Sequence, residues 1–383
     1  MNHIQTSSID ASISLPQING FYKDTQVYTL NGIKPIKDIE INDYILTKSG
    51  QIKKVLNINK IELLSDLWNL ICYKTPDIHV TKQQKFLSIT KEQLSSNSDL
   101  QENIVSSLSI GDYIAIPNQN EFYSDNSVLA LDFGNREADD ILTRDRVLIT
   151  PDFMYFLGIV LGNGYIKEDN LIFEFDETEI QLKEFILNFF NSEFGLDEDQ
   201  LFDNNNFDIT VLKIKSKSLV NVIYKLLFDS NLYSIKLNKE LYKLDNSYIF
   251  SFIQGCLDSY GEINNDEYSL CFFDNKLTTE FYHLLRSRNI LVEIQNHCMY
   301  DGTLLNSYKL VFEKDSSFIK SCTRFFDIEE NNDDDNLYSI EYNGYTLVQI
   351  LEKKVSDFDP EYVYNIEVED DNSIVVEGLI TIN

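Results

Sequence analysis

Leu157-Gly158-Ile159-Val160-Leu161-Gly162-Asn163-Gly164 and Gly255-Cys256-Leu257-Asp258-Ser259-Tyr260-Gly261 decide how this 383-residue chain is read. Each is an apolar run with small residues four apart, Gly158 and Gly162 in the first, Gly255 and Ser259 in the second. On a helix that spacing puts the small residues on one face, so two such helices can cross with their backbones close together. Each run stops at a glycine, Gly164 or Gly261, a common way to end a helix. Asn163 and Tyr260, just before the stops, are expected to face each other at the tips of the helix pair. Two carboxylates so placed would hold metal ions over a phosphodiester, but neither residue is an anion.

Composition sets the outer limits. At 383 residues the chain is long enough for two or three domains with a sizeable core, and 43% hydrophobic content is ordinary for globular proteins. No segment reaches the roughly 18 apolar residues a membrane span needs, and Met1–Pro16 has no signal-peptide apolar core. A soluble intracellular protein, cytoplasmic or nuclear and with no membrane partner, is expected. The many Asn, Ile, Lys, Tyr and Phe residues hint at an AT-rich genome, with which a viral origin is compatible. The five cysteines, Cys72, Cys256, Cys271, Cys298 and Cys322, show no CxxC spacing, against both a disulfide framework and a structural zinc site. Net charge is −30, from 62 acidic and 32 basic side chains. That balance opposes approach to nucleic acid unless cations gather on one face. The excess persists over residues 149–320, with 15 Lys and Arg against 27 Asp and Glu.

The paired runs resemble the LAGLIDADG homing endonucleases, in which each motif helix ends in Asp-Gly and that Asp binds metal. The matching positions here are Asn163 and Tyr260. Gly158 and Gly255 lie 97 residues apart (255 − 158), about one repeat of a single-chain pseudo-dimer in that family. Packing on glycine explains either run alone, but explains the pair less well. The resemblance implies a monomer built as an internal pseudo-dimer, duplex DNA as a partner, and magnesium if nuclease activity survives; no other cofactor is implied. Asp258 and Glu262 are the remaining carboxylates near the second tip and the candidates for a rebuilt metal site, while Lys167 and Glu168 follow the first motif at some distance. Asp258, two residues before Tyr260, is rotated about 200° around the helix and so points away from the tip. In the family a basic residue stands near the cleaved phosphate, where this chain has Lys236. In Thr210–Lys217, Lys213, Lys215 and Lys217 alternate with apolar or small residues; on a strand they would share one face and contact phosphates. A solvated strand face explains that alternation nearly as well.

The flanking segments carry a second resemblance. Lys23–Val27, Asn31-Gly32, Ile36–Ile39, Asn42–Ile45, His79-Val80-Thr81 and Ile110–Ile114, followed near the end by Val363–Val368 and Gly378–Asn383, resemble in their order the blocks of a Hint domain, the β-rich module of inteins. Asn31-Gly32, Asn42-Asp43 and Ser49-Gly50 are turn signals between short strands. The fold expected is therefore α+β and multi-domain, a β-rich Hint domain split by an α/β LAGLIDADG-type pseudo-symmetric domain. Its parts are a leader (1–19), a first Hint part (20–118), a linker (119–149), the endonuclease-like repeats (150–320), an acidic loop (321–336) and a closing Hint part (337–383).

The splicing positions are largely substituted. Where the resemblance implies a Cys or Ser nucleophile stands Gly20, which has no nucleophilic atom. Where it implies a histidine three residues after Thr81 stands Gln84, which does not titrate. The later block histidine is Asn372 and the penultimate histidine is Ile382. Thr81 and Asn383, whose side-chain amide would attack its own carbonyl, are the remnants. His79 is a conceivable stand-in for the missing histidine, though an ordinary strand histidine is the plainer reading. The expectation is an intein-type homing endonuclease relative without splicing and without DNA cleavage. The alternative is a non-catalytic binding or structural protein reusing the scaffold, with a protein partner.

Overall fold

The computed structural model describes residues 18–63, 65–117, 130–132, 140–142, 145–206, 209–227, 237–264, 267–300, 304–312 and 338–383. Most of the expected leader, most of the linker, the acidic run Asn331–Asn336 and Lys236 fall outside the described residues.

The turn signals produce hairpins. Gln26–Thr29 pairs with Gly32–Pro35 across a two-residue turn, and Gly32 leaves that turn at φ 101°, a conformation that favours glycine. These strands belong to a 14-stranded sheet that draws on both ends of the chain. Tyr362–Val368 pairs with the long strand Ile52–Glu62, Tyr345–Val355 lies between Leu67–Cys72 and Tyr113–Pro117, and Leu379–Ile382 pairs with Lys85–Ile89. The strands after residue 338 thus interleave with those before 118 and share two apolar cores with them.

Between these segments in sequence lie two copies of one pattern. Helix Pro151–Asn163 runs into the strand pair Gly164–Lys167 and Asn170–Phe175, then helix Ile180–Phe194, then strands Phe202–Asn206 and Ile209–Lys215. Helix Asn246–Tyr260 runs likewise into Gly261–Asn264 and Glu267–Phe272, helix Asn275–Ser287, and strands Val292–Tyr300 and Leu304–Phe312. The two four-stranded sheets have the same strand order. In each, Gly164 or Gly261 pairs with the equivalent residue of the next strand, Phe173 or Leu270.

Local chemistry starts each helix. The Thr150 hydroxyl accepts from Phe153 N–H at 3.1 Å ahead of Pro151, and the Asp245 carboxylate accepts from Ser247 N–H at 3.0 Å. Both repeats share one continuous core. The second repeat also touches the large sheet: Tyr282 donates to the Lys74 carbonyl at 3.1 Å, and Leu291 enters a core of that sheet. Cys72, Cys256 and Cys271 are buried free thiols. Among the described residues no helix is long and apolar enough to cross a membrane.

Candidate functional site

The motif helices Pro151–Asn163 and Asn246–Tyr260 pack face to face, and glycine permits the approach. A Cβ on Gly158 would strike the Phe252 carbonyl and lie 2.8 Å from Cys256 N; one on Gly255 would strike the Tyr155 carbonyl. A Cβ on Gly162 would strike the Ser259 hydroxyl, which itself donates to the Gly255 carbonyl at 2.7 Å. Gly158, Gly162, Gly255 and Ser259 therefore all lie in the crossing. The terminating glycines act differently from the usual left-handed cap. Gly164 (φ −89°) and Gly261 (φ −71°) are extended, and each chain passes straight from helix to strand. A side chain there is excluded by the preceding helical turn: a Cβ on Gly164 would be 2.7 Å from the Val160 carbonyl oxygen, and one on Gly261 would strike that of Leu257.

At the tips stand Asn163, half-buried, and Tyr260, 41% exposed. Asn163 donates its amide to Glu179 at 3.0 Å; burial raises the Glu179 pKa, and the same carboxylate accepts from Asp176 N–H at 3.1 Å. Burial, with Cys271 and Glu262 nearby, raises the Tyr260 pKa and keeps the phenol neutral. Asp258 lies inside the helix crossing, 7% exposed, where it accepts from the Tyr155 hydroxyl at 2.8 Å. Glu262, on the outward face of the second sheet, is ion-paired to Lys309 at 2.5 Å. Among the described residues no group of three or more His, Cys, Asp or Glu side chains is arranged to hold a metal ion. The amide, phenol, buried carboxylate and lysine-paired carboxylate do not fit a divalent cation, which wants several free oxygen ligands.

The outward faces of the two sheets differ in charge. On the first, register places Lys213 beside Ile172 and Lys215 beside Asn170, with Lys167 on the next strand, while Leu212 and Ile214 are buried beneath. Glu174 shares that face and accepts from the Tyr165 hydroxyl at 2.6 Å. Lys217 departs from the expected strand: the strand ends at Lys215, and Lys217 opens helix Lys217–Leu227. The cause is Ser216, whose hydroxyl accepts from Leu219 N–H at 3.1 Å and starts the helix. Lys217 lies 3.8 Å from Asp169. The matching face of the second sheet carries Glu262, Glu293 and Lys309.

A second constellation lies where the ends of the large sheet meet. Gly20 N–H donates to the Thr81 hydroxyl at 3.2 Å, and Thr81 N–H donates to the Gly20 carbonyl at 3.0 Å. Gln84, fully buried, donates from Nε2 to the Ile382 carbonyl at 2.8 Å, and its Oε1 has no partner. Asn383 N–H donates to the Asn372 carbonyl at 2.7 Å, and its side-chain Nδ2 donates to the Ile366 carbonyl. The fold thus brings Gly20, Thr81, Gln84, Ile382 and Asn383 to one place, although they span the chain. The place is closed at Gly20, where a Cβ would be 2.9 Å from Val363 Cγ2. His79 is held elsewhere: its Nδ1 lies 2.8 Å from the Ser356 hydroxyl, its ring meets Phe358 edge-on at 4.5 Å, and burial lowers its pKa. Gln84 can hold a carbonyl but cannot pass a proton, and no thiol or free hydroxyl stands at Gly20.

Sequence reasoning missed a buried cluster between the second repeat and the large sheet. Tyr28 from the first strand lies 3.4 Å from His283 Nδ1, and Arg286 and Glu377 are both buried close by. Glu377 Oε2 makes no hydrogen bond, and the Arg286 guanidinium lies against the Tyr282 hydroxyl. The residues are far apart in sequence and follow no motif spacing, so nothing in the sequence pointed to them.

No family model matches the chain, and no curated protein matches it. Parts of it are similar to solved structures. A crystal structure of the gp41-1 intein is 21% identical over 26% of this chain and 69% of its own, with a TM-score of 0.22. A structure of mesophilic variants of the homing endonuclease I-DmoI is 12% identical over 46% of this chain and 97% of its own, with a TM-score of 0.34. The Ssp DnaB mini-intein variant M86 is 18% identical over 27% of this chain and 64% of its own, with a TM-score of 0.23.

Proposed function

We propose that the chain is an intein-type homing endonuclease relative that retains a duplex-DNA grip but has lost both splicing and cleavage. The observation that carries the reading is the helix crossing on Gly158 and Gly255 that ends in Asn163 and Tyr260, a nuclease-like scaffold whose two tip residues are an amide and a phenol rather than carboxylates. Lys213 and Lys215 on the first sheet are the phosphate contacts in this reading, with Lys217 beside them at a helix start and Lys236 as a further candidate. Asp258 and Glu262 serve structure, one in the crossing and one in an ion pair. Residues 20–118 and 337–383 form a Hint-like unit around the repeats of 150–320. Thr81 and Asn383 are remnants of a splicing centre in which Gly20 and Gln84 supply no nucleophile and no acid.

The test is retention of a randomised duplex DNA pool at low salt, with and without magnesium, followed by a salt titration. The reading expects retention that falls steeply with salt and DNA that stays intact with magnesium. Cleaved ends would overturn the loss of nuclease activity. Absence of retention at low salt would overturn the grip. The net charge of −30 and the Glu262 and Glu293 face favour, in that event, a binding or structural protein with a protein partner.

A further inference from the structure

The two repeats are alike in topology but not in packing beneath the helix tips. In the first, the Phe173 ring fills that space: its Cε1 is 3.1 Å from where a Cβ on Gly164 would stand. The register-equivalent residue of the second repeat is Leu270, which pairs with Gly261 as Phe173 pairs with Gly164. Leu270 is shorter, and beside it lies a cavity of about 400 Å³. Gly162 and Cys256 line it from the crossing helices, Leu277 from the far side, and exposed Tyr260 and Phe273 stand at its mouth.

We propose that this cavity is a binding site for a neutral planar aromatic molecule carrying a ring N–H donor. The size suits a small ligand, since such pockets begin at about 300 Å³. The shape follows from the phenyl ring that occupies the equivalent space in the first repeat. Among the described residues no lysine or arginine lines the cavity, so an anion finds no partner there. Among the described residues its one charged group is Asp274, whose side chain accepts from Lys276 N–H at 2.7 Å and Leu277 N–H at 3.1 Å, both at Oδ1. Oδ2 is left to accept a donor from the ligand. The positive end of helix Asn275–Ser287 offsets the carboxylate charge, which favours a neutral N–H over a cation. This site does not depend on the DNA reading.

Indole is the probe, and 1-benzothiophene, of the same shape without the N–H, is the control. Isothermal titration of the full chain should show saturable indole binding and at least about tenfold weaker benzothiophene binding, the discrimination of one charge-assisted hydrogen bond. Leu270→Phe, which copies the first repeat, should abolish both. Leu277→Phe fills the same space from the helix and serves if the first variant does not fold. In Asp274→Asn the amide oxygen keeps the cap while the amide nitrogen replaces the acceptor, so indole should fall to the level of benzothiophene. Lack of saturable indole binding to the wild type, or equal binding by a folded filled variant, would overturn the site. Unchanged discrimination in Asp274→Asn would overturn the N–H specificity.

Discussion

Glu377 should leave a readable mark on the pH dependence of stability. It sits in the turn between strands Ser373–Val376 and Leu379–Ile382, 5% exposed, with Oε1 accepting from Gln26 N–H at 2.7 Å. Burial raises its pKa from 4.5 to about 8, against the smaller opposing pull of that hydrogen bond and of Arg286. His283 in the same cluster moves the other way, from 6.5 to about 3, through burial and then Arg286. For Glu377 the contribution to stability is fully present below pH 4.5. Above it the unfolded chain releases a proton that the folded chain keeps, costing about 1.4 kcal/mol per pH unit up to pH 8, or about 5 kcal/mol in all. The His283 contribution is fully present above pH 6.5 and is lost at the same slope as pH falls towards 3. Between pH 4.5 and 6.5 the two slopes cancel, and from 6.5 to 8 Glu377 acts alone, removing about 2 kcal/mol. Glu377→Gln keeps an acceptor for Gln26 and abolishes this titration. Urea unfolding of both proteins at half-unit steps from pH 6.5 to 8 should show the variant gaining about 2 kcal/mol on the wild type. A difference that stays constant across that range would mean Glu377 is ionised in the fold, and the reasoning from burial would fail.

Three further outcomes can be checked by denaturant unfolding. Gly158→Ala drives a methyl into the Phe252 carbonyl at the tightest point of the crossing and should cost about 3 kcal/mol or more. Tyr155→Phe removes the hydroxyl that Asp258 accepts from and should cost about 2 kcal/mol, because the carboxylate stays buried in the crossing. Gly20→Cys, which restores the family's nucleophile type, should cost about 1–2 kcal/mol through its contact with Val363, and mass spectrometry should find no self-cleavage, since Gln84 supplies no acid.

How far the sequence could be read depended on whether a feature was local. The small-residue spacing of Gly158, Gly162, Gly255 and Ser259 is a property of one helical face, and all four lie in the crossing. The Asn31-Gly32 turn was equally local. Both helices end where Gly164 and Gly261 mark the stop, but the reason for glycine is not in the sequence: φ is negative, and the constraint is the carbonyl of the last turn. Alternation puts Lys217 on the strand, because alternation alone cannot see a serine that diverts the backbone into a helix. The cavity under Tyr260 was within reach only once strand register made Leu270 the counterpart of Phe173. The cluster of Tyr28, His283, Arg286 and Glu377 depends on long-range docking and has no periodic trace.

The interleaved sheet has a consequence for how the chain is made. Synthesis delivers Gln26–Thr29, Ile52–Glu62 and Tyr113–Pro117 well before their neighbours Ser373–Val376, Tyr362–Val368 and Tyr345–Val355 exist. Until then those early strands carry bare edges, the surfaces most open to pairing with another nascent chain. The two central repeats, whose strands pair only with near neighbours, can fold on the ribosome in that interval. The order of folding thus runs from the middle outward, and the waiting time of the first strands is set by the length of what is threaded between them.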